Sequence, residues 1–183
     1  NVTLNPVVII DKETPKVINI TSNTADGYYK AGAAVSVSVQ FSKPVIVTGS
    51  PSLLLETGTT DRYAVYGSGS GSDTLVFGYT VQAGDSAADL DYIGTNALKL
   101  NGGSIKDADG KYAYLDLPYE GNPYSLGFNK NIAIDNTPPT VNAGLDFAWT
   151  NATANLDGTV TDTSGISTYL WEKTAGTGTV NFG

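Results

Sequence analysis

Apolar and polar residues alternate most cleanly in A-V-S-V-S-V-Q-F at 34–41, which puts Val35, Val37, Val39 and Phe41 on one face and serines on the other. A two-residue period of this kind predicts a half-buried β-strand. Shorter runs at 16–22, 45–47, 53–56, 62–66 and 74–81 repeat the signal. In 74–81, Leu75, Phe77, Tyr79 and Val81 share a face, with Gly78 on the other. The Gly-Ser run at 67–72 reads as a flexible hairpin loop, because the chain has no G-x-x-x-x-G-K-[ST] phosphate-loop pattern. Residues 84–92 are the one place where a helical turn is expected, capped by Asp85. Residues 97–117 predict strands around an Asp109-Gly110 turn, and 132–134 predict a closing strand. Many short strands without a long helix predict an all-β fold, an antiparallel β-sandwich. Its expected core is Val37, Val39, Phe41, Leu55, Leu75, Phe77, Tyr79 and Ile134.

Domain organisation is read from an echo. D-N-T-P-P-T-V at 135–141 repeats D-K-E-T-P-K-V at 11–17, 124 residues apart, and each copy follows an apolar run, 132–134 and 7–10. Proline stiffens the chain and holds the preceding residue extended, so the repeat reads as a domain junction. Three parts follow: 1–14 as the closing strand and linker of a preceding domain, 15–138 as a complete domain, and 139–183 as the start of another. The ragged ends expose β edges, which implies either a longer parent chain or copies that supply strands to one another.

Composition narrows the chemistry. Cysteine and histidine are absent from the 183 residues, which removes disulfides, thiolate sites, Ser-His triads and the commonest zinc sets. A carboxylate-pair glycosidase is the main enzyme class left. No long loop is present to build its cleft, so no catalysis is expected. Net charge is −8, which opposes nucleic-acid binding. No apolar run is long enough for membrane insertion. Fourteen of the 18 acidic residues are aspartates, which suits turns and hard-cation coordination.

The motifs T-S-N-T-A-D-G-Y-Y-K-A-G, V-S-V-Q-F-S-K-P-V, V-T-G-S-P-S-L-L-L-E-T-G, Y-T-V-Q-A-G-D, D-L-D-Y, L-N-G-G-S-I-K-D-A-D-G and I-A-I-D-N-T-P-P stand in this order over 16–139. Together they resemble the immunoglobulin-like repeats of large bacterial surface proteins and adhesins. The tail, with N-A-G-L-D at 142–146 and L-D-G-T-V-T-D-T-S-G-I-S-T-Y-L-W-E-K at 156–173, resembles a PKD-type domain with Tyr169 and Trp171 as its core pair. The resemblance implies tandem immunoglobulin-like β-sandwiches, an extracellular, cell-surface or secreted location, and neighbouring domains or copies of the chain as partners.

Three acidic groupings are candidates for calcium. In D-L-D, Asp89 and Asp91 project on one face if extended, and a cation would relieve their repulsion. Asp107 and Asp109 form a second pair, although Ile105 breaks the EF-hand pattern and a plain Asp-Gly turn competes. Asp11, Glu13 and Asp135 stand at the junctions, where cadherin-like modules hold calcium. Asn1, Asn19 and Asn151 begin N-x-[ST] sequons. The function expected is a structural or adhesive spacer of a surface protein or fibre. The alternative is a carbohydrate-binding accessory module of a secreted polysaccharide-degrading enzyme, with a glycan or other surface ligand.

Overall fold

The computed structural model describes residues 13–144, 158–166, 168, 170, 172 and 175. The chain divides into two compact units, Asn1–Asn136 and Thr137–Gly183, so the break falls inside D-N-T-P-P-T-V.

Unit one is built on a 15-residue strand. Its elements are β1 (Val17–Thr21), β2 (Gly27–Tyr29), β3 (Ala34–Thr48), β4 (Ser52–Leu55), β5 (Arg62–Ser68), β6 (Ser72–Thr80), β7 (Leu98–Lys99), β8 (Ser104–Lys106), α1 (Leu126–Asn129) and β9 (Ile132–Ile134). A curled antiparallel sheet runs β1-β3-β6-β5-β4-β7, and β8 branches from the far end of β3. The fold is all-β. β3 continues through Pro44 because its pairing changes there: Gln40 is opposite Thr74, the register shifts, Val45 meets Ser72, and Ile46, Val47 and Thr48 pair with β8. Proline lacks a backbone donor, so this irregular stretch is where a long strand tolerates it.

Period-two burial works as the sequence implies. Val37 lies opposite Phe77, Val39 opposite Leu75 and Val35 opposite Tyr79. These side chains are buried with Phe41, Leu53, Leu55, Ile20 and Ile134 in a single core. Tyr66 meets Phe77 edge to face, with ring centroids 6.0 Å apart.

Three features differ from the sequence reading. Residues 84–92 form no helix: Ala87 bridges Ile134 and Tyr92 bridges Leu55, both antiparallel. Leu90 and Tyr92 are fully buried, and inward-facing residues two apart require an extended chain. The helical turn is instead α1, capped by Ser125, whose hydroxyl accepts from the Phe128 N–H. Second, β9 pairs in parallel with β2, so the closing strand is not purely antiparallel. Third, the Gly-Ser loop is tied to β3: the Ser70 hydroxyl accepts from the Val47 N–H, and the Gly71 N–H donates to the Val45 carbonyl. Gly69, at φ 106°, lets the chain turn where a side chain would strike the Thr74 carbonyl.

In unit two, β10 (Thr140–Asn142) pairs antiparallel with β11 (Thr159–Thr161). Tyr169, Trp171, Asn1, Asn151 and the strand expected at 7–10 lie outside the described residues.

Val39 is fully buried between Ile20 and Leu75. Val39→Asp strands a charge in that core and is expected to remove several kcal/mol, roughly 3 to 5, enough to abolish cooperative melting of unit one. Thermal circular dichroism checks this; a wild-type transition in the variant contradicts the packing.

Candidate functional site

Asp89 and Asp91 flank the buried Leu90 and emerge on one side of the chain. Both carboxylates abut Gly127 of α1. A methyl group there would stand 3.0 Å from Asp91 Oδ2 and 3.3 Å from Asp89 Oδ2, so glycine permits the helix to seat against them. Backbone donors already use these oxygens. Asp91 accepts from the Tyr92 N–H at 3.0 Å and the Gly121 N–H at 3.1 Å, and Asp89 accepts from the Ile132 N–H. Partial burial, then the charges of Asp91 and Asp26, push the Asp89 carboxyl above its ordinary range despite that hydrogen bond. Asp26 is held low by Lys130, 2.8 Å away. The pair therefore clasps α1 and the loop before it, and the two acids do share one face.

Asp107 closes the D-A-D-G-K turn. Its Oδ1 accepts from the Asp109 N–H at 3.0 Å and the Lys111 N–H at 2.9 Å, and its Oδ2 lies 3.6 Å from the Lys43 ammonium. Burial raises the carboxyl, but the Lys111 N–H and the Lys43 charge outweigh it and the group stays below the ordinary range. Asp109 gives its backbone to the turn and leaves its side chain exposed. The cation beside Asp107 is thus a lysine. Among the described residues, no three His, Cys, Asp or Glu side chains converge on a common point.

The junction acids are set apart. Asp11 lies outside the described residues. The Glu13 carbonyl accepts from Lys43 Nζ at 2.7 Å, beside the irregular stretch inside β3. The Asp135 N–H donates to the Tyr29 carbonyl at 3.0 Å, before the start of β3. Asn19 is in β1, with its amide oxygen held by Asn129 at 2.8 Å.

Two groups have structural roles that the sequence reading does not assign, Asp85 standing there only as a helix cap. Asp85, almost fully buried, accepts from Arg62 Nε at 2.8 Å, the Tyr79 hydroxyl at 2.7 Å and the Gln82 N–H at 2.8 Å. Arg62 is the chain's one arginine, which is the signal that a carboxylate partner was required. Asn136, inside the junction motif, accepts from the Ala31 N–H at 2.6 Å and donates to the carbonyls of Gln82 and Asp85 at 3.1 and 2.8 Å. It fastens the outgoing chain to the turn after β6. Compared with known proteins, the chain matches no protein-family model, no curated protein and no solved structure. Among the described residues, no helix is long and apolar enough to cross a membrane.

Burial raises the Asp85 carboxyl, but donation from Tyr79, Arg62 and Gln82 outweighs it, so the folded group stays below its ordinary range. A depressed folded value gives stability above the unfolded carboxyl's pKa, lost as pH falls through the folded one. Asp85→Asn is expected to cost about 2 to 4 kcal/mol at neutral pH. The gap to wild type should narrow in strong acid. Melting curves across pH test this; a gap that widens in acid would invert the assignment.

Asp89 carries the opposite sign. Its raised folded value favours the protonated form, so its ionisation weakens the fold as pH rises through the carboxyl range. Asp89→Asn is expected to melt higher than wild type at pH 7 without divalent cations, and no higher at pH 3. A lower melting temperature at pH 7 would show that the charge is needed where it stands.

Proposed function

We propose that this chain is a non-catalytic spacer from a string of immunoglobulin-like β-sandwich modules in an extracellular surface protein or fibre. One observation carries the reading: the chain enters unit one beside Ser42 and Lys43 of β3 and leaves beside the start of that strand. On the incoming side, the Ser42 N–H donates to the Lys16 carbonyl, Lys43 holds Glu13, and the Tyr114 N–H donates to the Pro15 carbonyl. On the outgoing side, Asp135 and Asn136 are fastened to Tyr29, Ala31, Gln82 and Asp85. Ala31 and Gln82 adjoin the start of β3, where Ala34 is opposite Thr80. Ser42 lies eight residues further along β3, about 26 Å at the usual strand rise. Modules whose junction motif recurs at domain spacing and whose points of entry and exit stand apart along β3 add length with each copy. The main acidic groups fit the reading, because Asp85, Asp91 and Asp107 hold backbone and side chains in place.

A carbohydrate-binding accessory role is the second reading, favoured by the aromatic side chains beside α1. Tyr119, Tyr124 and Phe128 are 70%, 61% and 58% exposed. Tyr124 has φ 76°, a backbone conformation unfavourable for a bulky residue. Rings held out to solvent offer faces for sugar stacking.

Displaying one, two or three tandem copies of the chain between a cell-surface anchor and a fluorescent tag separates the readings. A spacer moves the tag outward with every added copy, measured by energy transfer to a membrane dye, and does so equally in Tyr124→Ala. A tag height that does not grow with copy number contradicts the spacer. Retention on insoluble polysaccharide that Tyr124→Ala and Phe128→Ala abolish would favour the second reading.

A further inference from the structure

The sequence holds one Asn-Gly pair, Asn101-Gly102, and the fold sets it at a corner where β3 and β7 end and β4 and β8 begin. β7 pairs with β4 through Lys99 and Ser52, and β8 pairs with β3 through Ser104 and Thr48. The turn at 100–103 therefore lies against the turn at 49–51. Their backbones touch: a methyl group on Gly49 would stand 2.9 Å from the Gly103 Cα, and one on Gly103 would strike the Thr48 carbonyl.

Asn101 and Gly102 have φ of 51° and 81°, and the Gly103 N–H donates to the Leu100 carbonyl at 2.8 Å. Positive φ at both central residues makes this a type I′ turn, which Asn-Gly favours. From that turn the Asn101 side-chain nitrogen donates to the Ser50 carbonyl at 3.0 Å and to the Ser52 hydroxyl at 2.9 Å. One carboxamide thus fastens the two turns, beside a hydroxyl contact of Thr48 with Ser104 at 2.9 Å.

The same dipeptide carries its own chemistry. The Gly102 nitrogen can attack Asn101 Cγ and close a five-membered succinimide. The carboxamide nitrogen leaves as ammonia, taking the proton that Gly102 gives up, and water then opens either ring carbonyl to leave aspartate or isoaspartate. Glycine has no side chain to screen its nitrogen, and the reacting groups belong to adjacent residues. The folded hairpin restrains the reaction, because ring closure swings the Asn101–Gly102 peptide out of its turn and draws the carboxamide away from Ser50 and Ser52. The reactive form is reached by local opening of the corner. Neither product restores the tie: an ionised carboxylate offers the Ser50 carbonyl no donor, and isoaspartate adds a methylene to the backbone of the turn.

We propose that Asn101-Gly102 is a site of spontaneous succinimide formation, gated by its hairpin, whose conversion unlocks the β3–β4 corner in one direction only. The inference rests on turn geometry and is independent of the spacer reading.

Peptide mapping by mass spectrometry tests it on the full chain held at mildly alkaline pH, folded in buffer and unfolded in guanidinium chloride. The unfolded chain is expected to convert Asn101 ahead of its other asparagines, into a mixture of aspartate and isoaspartate. The folded chain is expected to convert it ~10-fold more slowly or less, since reaction waits on opening. Ser52→Ala removes one of the two acceptors and is expected to speed the folded reaction ~5-fold, the weight of one hydrogen bond. Asn101→Asp, which stands for one product, is expected to melt below wild type by circular dichroism. Equal rates in folded and unfolded wild type, a comparison that needs no variant to fold, would overturn the gate, as would a wild-type rate in Ser52→Ala. Wild-type melting of Asn101→Asp would overturn the unlocking, and an Asn101 that outlasts other asparagines in the unfolded chain would overturn the site itself.

Discussion

Everything in unit one is referred to the buried face of β3. Val35, Val37, Val39, Phe41 and Val45 are at most 2% exposed, and five residues of one strand turned into one core bring the other elements to them. β6 covers most of the length with Leu75, Phe77 and Tyr79, β1 takes the free edge, and β8 pairs beyond the irregular stretch around Pro44. A one-residue slip would turn those valines to solvent. That penalty fixes the register of β1 and β6, and through them the points where the chain enters and leaves.

Aspartate supplies the second tier of constraint. A short carboxylate reaches nearby backbone N–H groups more readily than a longer one, and the fold uses this at Asp107, Asp91 and Asp85. The acidic composition is therefore spent partly on fixing loops. Asp85 shows how burial is reconciled with charge: three donors surround it, one of them Arg62. The same residue's carbonyl receives Asn136, so the carboxylate that locks the turn after β6 also fixes the ground on which the departing chain is fastened.

Much of the fold was legible because burial on one face writes a two-residue period. β3, β4, β5, β6 and β9 fall where alternation or an apolar run placed them, and all eight expected core residues are buried. What the pattern does not carry is pairing partner. The parallel pairing of β2 with β9 joins segments about a hundred residues apart, and neither run signals direction. Residues 84–92 misled because Asp85 and two alanines mimic a capped helical turn, whereas Leu90 and Tyr92 respond to a core that only the assembled sheet creates. Among candidate sites, spacing correctly put Asp89 and Asp91 on one face. The role of that face, packing against Gly127 of a helix 36 residues onward, depends on tertiary contact. Asn136 was hidden in a motif read for its prolines, since an amide's three partners, at Ala31, Gln82 and Asp85, are distant in sequence.

The terminal strands β1 and β9 are integral to the core built on β3, and native-state amide hydrogen exchange reads this out. Paired amides of β1 and β9, including those of Ile20 and Ile134, are expected to exchange only through the same global opening that releases Val37 and Val39 of β3. Exchange of β1 or β9 at loop-like rates, with β3 and β6 still protected, would contradict it.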